Sequence, residues 1–253
     1  MTRRRIRLVR QGFPDPPARD TAISHAILRR VSDGLEPETL RLHRLGDIVA
    51  FGPKDRLAPG FGRAIEAARA AGFGSVQRLA GGRAAVFTTR SIAFSWAMGD
   101  PVPRKGIRAR FEELAAIIAA AFQDLGIDAR IGAVPGEYCP GEHSVSARGR
   151  TKLMGVGQRL VQRAVHVGGV VVVDDSLRVR EVLVPVYQAL GLDWDPATVG
   201  SLADEVPGLT WEQAERAIVA RFALAYELEE GTLSDSVLAL ATSLEPRHMP
   251  PRD

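Results

Sequence analysis

Apolar positions recur at helical spacing over 107–125, where Phe111, Leu114, Ala115, Ile118, Phe122 and Leu125 lie three, one, three, four and three residues apart. That period gathers them on one face and predicts a long amphipathic helix that covers a core. Ala22, Ile23, Ala26, Ile27 and Leu28 predict an earlier helix, with Asp20 as its N-cap and Gly34 at its end. Another helix is predicted over 61–71, ended at Gly72 and Gly74. Trp211, Ala214, Ile218 and Phe222 form the apolar side of a helix over 211–226, with Thr210 and Gln213 at capping-box spacing. A final helix starts after Ser234.

Short apolar runs between turn signals predict strands at 5–9, 39–43, 48–51, 75–79, 85–88, 92–96, 129–133, 152–157 and 166–173. The Leu45-Gly46-Asp47 break suggests that 39–43 and 48–51 form a hairpin, and Gly81-Gly82 reads as the turn of a second one. Four consecutive valines, 170–173, predict a strand buried on both faces. The pattern is that of an α/β protein, with a main domain over 1–190, a helical extension over 191–253 and a frayed tail from Pro246 onward.

With 253 residues, 45% of them hydrophobic and 25% charged, the chain can bury a large core and is unlike a disordered sequence. No apolar run approaches the roughly 18 residues that span a bilayer, and the opening Met-Thr-Arg-Arg-Arg-Ile-Arg lacks a secretory pattern, so a cytoplasmic protein without a membrane partner is expected. A net charge of +3, with arginines scattered along the chain, argues against nucleic-acid binding. The single cysteine excludes an internal disulfide, and His25, His43, His166 and His248 lack partners at zinc-ligand spacing, so no metal is expected.

That cysteine, Cys139, stands in Glu-Tyr-Cys-Pro-Gly-Glu-His-Ser, thirteen residues before Lys152. Pro140-Gly141 suits a loop better than a packed core, and a thiolate is a strong carbonyl nucleophile. Lys152 is one of only three lysines, with Lys54 and Lys105, against thirty arginines. A compact ammonium can clamp a carbonyl oxygen where a planar guanidinium does not fit. The competing reading makes Cys139 a small buried hydrophobe and Lys152 a solvated charge. Gly155 and Gly157 alternate along a predicted strand and either leave room for a ligand or mark a bulge, and Gln158 is placed to orient a polar group.

Arg78-Leu-Ala-Gly81-Gly82, Cys139-Pro-Gly with Ser146 behind it, and Lys152-Leu-Met-Gly-Val-Gly-Gln-Arg together resemble the lipoate-protein ligase and octanoyltransferase superfamily, related to biotin-protein ligases. The resemblance covers almost the whole chain and is closest to the cysteine-dependent octanoyl/lipoyl transferase branch. It implies a mixed, mainly antiparallel sheet flanked by helices, like that of class II aminoacyl-tRNA synthetases. It also implies that Lys152 contacts the acyl carbonyl, that Cys139 carries the acyl thioester, and that Gly81 and Gly82 line the acyl pocket; Arg78, Arg83, Gly155, Gly157 and Gln158 are further candidate substrate-binding residues.

The implied substrate is a lipoyl or octanoyl group, moved between lipoyl-domain proteins, such as the glycine-cleavage H protein or a 2-oxoacid dehydrogenase E2, or from an acyl carrier protein. A transferase needs no cofactor. The alternatives are a ligase using ATP and Mg, in which Cys139 is incidental, and a non-catalytic acyl-binding homologue. The chain departs from the pattern at Phe87, where many members carry histidine, at Arg83, where a glycine is common, and at Ser144, where an aspartate is frequent. His143 is then a candidate proton relay.

Overall fold

The computed structural model describes residues 3–250. Its elements, in chain order, are β1 (Arg5–Val9), α1 (Arg19–Ser32), β2 (Thr39–His43), β3 (Ile48–Phe51), α2 (Phe61–Ala70), β4 (Gly74–Gln77), β5 (Ala85–Phe87), β6 (Ser91–Gly99) and α3 (Ile107–Asp124). They continue with β7 (Ala129–Ile131), β8 (Val145–Ala147), β9 (Thr151–Leu160), β10 (Ala164–Val172), α4 (Ser176–Leu190), α5 (Leu202–Glu205), α6 (Trp211–Ala225), β11 (Glu227–Glu230) and α7 (Asp235–Leu244).

Eight strands form a mixed sheet in the order β11-β1-β2-β6-β10-β9-β8-β7, antiparallel from β2 to β7 and parallel at the β11-β1-β2 edge. Two parallel pairs apart, this is the expected architecture. The valine-rich β10 lies at its centre, with Val165, Val167, Val170, Val171 and Val172 all buried. It has no solvent face, because apolar helices cover both sides. Leu114, Ile118 and Phe122 of α3 and Ile218 and Phe222 of α6 pack on one face around Trp96, and α1 and α7 cover the other with Ile23, Ile27, Val237 and Ala241.

Three sequence expectations give way here. Asp20 does not cap α1: the helix begins at Arg19, and Asp20 turns inward, accepting the Phe13 N–H at 2.9 Å and pairing with the buried guanidinium of Arg41. The runs 39–43 and 48–51 are not a hairpin, since β3 belongs to a separate three-stranded sheet ordered β4-β3-β5. For the same reason Gly81-Gly82 does not join paired neighbours: β4 and β5 lie on opposite sides of β3, so the 78–84 connection crosses over the end of the small sheet. That crossover places its glycines over the large sheet.

Helix α4 lacks a clear sequence signal because it carries Pro185 and the β-branched Val179, Val182, Val184 and Val186. Burial decides its state: Val179, Val182, Leu183, Val186 and Tyr187 pack with α2 against the small sheet. The 191–253 segment, expected to be helical, also supplies β11, which extends the large sheet by pairing with β1. Of the tail expected to fray, residues 246–250 are described and His248 is buried, its carbonyl accepting the Gln77 N–H at 2.7 Å; 251–253 lie outside the described residues.

Candidate active site

The segment between β7 and β8 is a loop because Gly132, Pro135, Gly136, Pro140 and Gly141 deny it a ladder, and its own turns hold it. Glu137 N–H donates to the Val134 carbonyl at 3.0 Å, Ser144 N–H to Gly141 at 3.0 Å and Gly132 N–H to Ser144 at 2.9 Å. Cys139 sits at the turn of this loop with φ +43°, the left-handed region, which costs a non-glycine residue about 1–2 kcal/mol. Its backbone N–H donates to the Tyr187 hydroxyl at 2.9 Å, and that hydroxyl donates to the Ala84 carbonyl at 2.9 Å. A single tyrosine of α4 thus joins the Cys139 loop to the 78–84 crossover. Burial raises the Tyr187 hydroxyl pKa well above its ordinary value, keeping it a donor.

The crossover meets the thiol from the other side. Arg83 N–H donates to Cys139 Sγ at 3.2 Å, and Arg78 Nη1 approaches the same sulfur at 3.6 Å while donating to the Arg83 carbonyl at 2.9 Å. Gly82 has φ +110°, and a β-carbon there would stand 2.9 Å from both Sγ and Arg78 Nη1. Only glycine permits this approach. The Arg83 side chain reaches away to Asp55, a buried carboxylate 3.2 Å from it that also accepts the Gly52 N–H. The sulfur therefore faces one backbone donor and one guanidinium.

Lys152 lies near the start of β9, opposite Ser146, and is 1% exposed. Its Nζ donates to the carbonyls of Tyr138 at 3.0 Å and Cys139 at 2.8 Å, lies over the Tyr138 ring at 4.8 Å, and faces Glu137 Oε2 at 3.4 Å. Burial pushes its pKa down, and the negative charges of Cys139 and Glu137 push it back up. The solvated-charge reading of Lys152 is excluded by this burial.

These groups open on a cavity of about 600 Å³ lined by Phe87, Phe111, Val156, Leu160, Val170 and the glycines 81, 82, 155 and 157. Such a volume, mostly apolar with a few polar groups at one place, is that of a small-molecule site. The cavity brings together Cys139, Lys152, Arg78, Gly81, Gly82, Gly155, Gly157, Gln158 and His143. Gly157 is a place of close approach, since a β-carbon there would meet Ala80 and the Gly81 carbonyl at 3.1 Å. Gln158 is tied to α3, accepting from Arg110 Nε at 3.1 Å and donating to the Ile107 carbonyl at 2.7 Å. His143 stacks on Phe111, with ring centroids 5.0 Å apart. Arg83 contributes its backbone to the thiol while its side chain goes to Asp55.

Two functional neighbours escape sequence reasoning. Tyr187 lies 48 residues from Cys139, on the helix without a signal. Glu137 lies two residues before the thiol, where an acidic residue in a loop looks solvent-bound, yet its carboxylate is buried. Among the described residues no cluster of three or more His, Cys, Asp or Glu could hold a metal ion, and no helix is long and apolar enough to cross a membrane.

Residues 16–223 match the model of the lipoyl protein ligase A/B catalytic domain. An octanoyl-[GcvH]:protein N-octanoyltransferase of Geobacillus kaustophilus is 28% identical over 170 residues, which is 67% of this chain and 60% of that protein's length. Its counterpart in Oceanobacillus iheyensis is 23% identical over 220 residues, 83% of this chain and 78% of that protein. In fold, the chain is similar to a lipoate-protein ligase A solved with ATP, with a TM-score of 0.76, 19% identity and coverage of 98% and 95% of the two chains. It is also similar to the bi-partite lipoate protein ligase of Thermoplasma acidophilum, with a TM-score of 0.72, 20% identity and coverage of 98% and 93%.

Proposed function

We propose that this chain, which belongs to the lipoyl protein ligase A/B catalytic domain family, moves an octanoyl group from the lysine of one lipoyl-domain protein to the lysine of another through a thioester on Cys139. The reading rests on one observation above all: the thiol and a buried lysine adjoin the same apolar cavity, with the sulfur held by the Arg83 N–H. The Geobacillus and Oceanobacillus relatives, named for octanoyl-GcvH as donor, supply the substrate class.

In the first half-reaction the Cys139 thiolate attacks the octanoyl amide carbonyl. The C–S bond forms, the C–N bond breaks, and the donor lysine leaves as an amine after taking up a proton. Lys152, an ammonium with three N–H donors of which two are held by loop carbonyls, has one left to polarise the acyl oxygen. In the second half-reaction the acceptor's neutral lysine amine attacks the thioester, the C–N bond forms as the C–S bond breaks, the amine's proton is released to solvent, and the thiolate returns. Amide is exchanged for amide, so the overall transfer is close to isoergonic and needs no ATP. The apolar lining of the cavity takes the alkyl chain out of water, at roughly 0.8 kcal/mol per methylene.

The test is the intact mass of the wild type and a Cys139→Ser variant after incubation with octanoyl-GcvH, with and without ATP. An octanoyl adduct on the wild type, labile to hydroxylamine and formed without ATP, is the expected result. With free octanoate also supplied, ATP-dependent acylation of an added lipoyl domain by both proteins would replace this reading with a ligase; neither adduct nor product would leave an acyl-binding protein.

A further inference from the structure

Glu137 is buried, yet it is committed on one side only. Its Oε1 accepts the Ser144 hydroxyl and the Gly141 N–H, each at 2.9 Å, while Oε2 accepts no hydrogen bond and stands 3.4 Å from Lys152 Nζ. A buried carboxylate oxygen without a partner is costly unless an opposite charge faces it. The charged and titratable groups acting on Lys152 are Cys139 and Glu137 of the loop and Arg78 of the crossover, with the Tyr138 ring against the ammonium. Arg78 opposes a second cation, and Cys139 loses its negative charge whenever it is protonated or acylated. The carboxylate that stays through every state is Glu137.

Building on the acyl-transfer reading, we infer that Glu137 is the positioning residue that keeps Lys152 an ammonium throughout the cycle, facing its third N–H when no acyl oxygen is present. When Cys139 becomes a neutral thioester, Lys152 loses one of two anions at the moment its charge is needed on the acyl oxygen. Glu137 then supplies the remaining counter-charge without touching substrate. Ser144 holds the carboxylate's other oxygen at 2.9 Å, so a carboxylate introduced at 144 stands beside the place that Glu137 vacates when it is shortened to serine.

With only three lysines in the chain, Lys152 can be followed directly by NMR in protein labelled with 15N at lysine Nζ, assigned by a Lys152→Met variant. In Glu137→Gln, which keeps the shape and an acceptor for Ser144, Lys152 should titrate about one pH unit lower than in the wild type, and octanoylation of Cys139 should lose its alkaline limb at the lower pH. Ser144→Ala should leave the titration in place. The carboxylate swap Glu137→Ser/Ser144→Asp should restore both the titration and the acylation profile.

An unmoved Lys152 titration in Glu137→Gln overturns the inference, as does an equal displacement in Ser144→Ala, which would assign the effect to the hydrogen-bond network and not the charge. If Glu137→Gln does not fold, the swap decides: a wild-type titration supports the inference, and a displaced titration or an unfolded protein overturns it. The titration needs no acyl donor, so failure of the acyl-transfer reading would show separately, as a wild type that forms no octanoyl adduct.

Discussion

Arg83 donates its backbone N–H to Cys139 Sγ at 3.2 Å, and the glycine before it is what lets the two chain segments come so close. Gly81 and Gly82 look equivalent in sequence but differ here. A β-carbon at Gly81 meets nothing within 4 Å, whereas one at Gly82 would press on the sulfur and Arg78 at 2.9 Å, with φ at +110°. Gly81→Ala should therefore keep octanoylation within about threefold of the wild type. Gly82→Ala should lower it by roughly a hundredfold and cost about 1–3 kcal/mol of stability. Rates of Cys139 acylation by mass spectrometry, with urea melts of both variants, check the contrast.

Tyr187→Phe removes one hydroxyl that serves two segments. The Cys139 N–H loses its acceptor and the Ala84 carbonyl its donor, both at 2.9 Å in the wild type. Leaving buried polar groups unmade costs about 1–3 kcal/mol, and here it also releases the strained turn that aims the thiol. The expected result is a loss of that size in denaturant stability together with at least a tenfold slower acylation. A variant that loses stability but acylates at the wild-type rate would show that the turn holds itself.

How much of this was legible in the sequence follows from the range of each interaction. Helices α3 and α6 were readable because their apolar faces and, for α6, the Thr210/Gln213 box are local; Thr210 Oγ1 accepts from Gln213 N–H at 3.2 Å as the spacing implies. Cys139 and Lys152 were readable because their residue types are rare in this chain. The β4-β3-β5 order was not, since strand pairing is decided by partners far apart in sequence, and Leu45-Gly46-Asp47 serves a crossing chain as well as a hairpin. Tyr187 was hidden because its role depends on α4 packing beside the loop, and Glu137 because nothing local to 137 reveals that β9 will bring a cation to it.

Lys152→Met tests the electrophilic clamp. Removing the ammonium leaves the Glu137 carboxylate in a dry site and the Tyr138 and Cys139 carbonyls without their donor. Breaking a buried pair on one side costs about 3–5 kcal/mol, so this variant should melt well below the wild type. Adding Glu137→Gln to it removes the stranded charge and should return part of that stability while acyl transfer stays lost. Recovery of stability without activity separates the ion pair's structural part from the polarisation of the acyl oxygen. Recovery of both in the double variant would remove Lys152 from the chemistry.

Stability should also fall in mild acid, through histidines away from the thiol: burial lowers His43 and His248 as well as His25 and His166. Burial, with nearby histidine and arginine charges adding to it, lowers His25 to about 4 and His166 to about 3 from 6.5. His25 Nδ1 lies 3.0 Å from His248 Nε2, and His166 Nδ1 is buried without a partner. In both cases the unfolded chain binds a proton that the folded chain refuses, so unfolding is favoured as pH drops below about 6.5. For His166 the destabilisation grows until pH reaches about 3; above about 7 both groups are neutral in either state and the effect vanishes. The melting temperature should therefore decline steadily from pH 7 to pH 5. His166→Gln, which cannot take up that proton, should show a shallower decline than the wild type even if it starts lower at pH 7, and parallel curves would mean that His166 is not a source of the acid sensitivity.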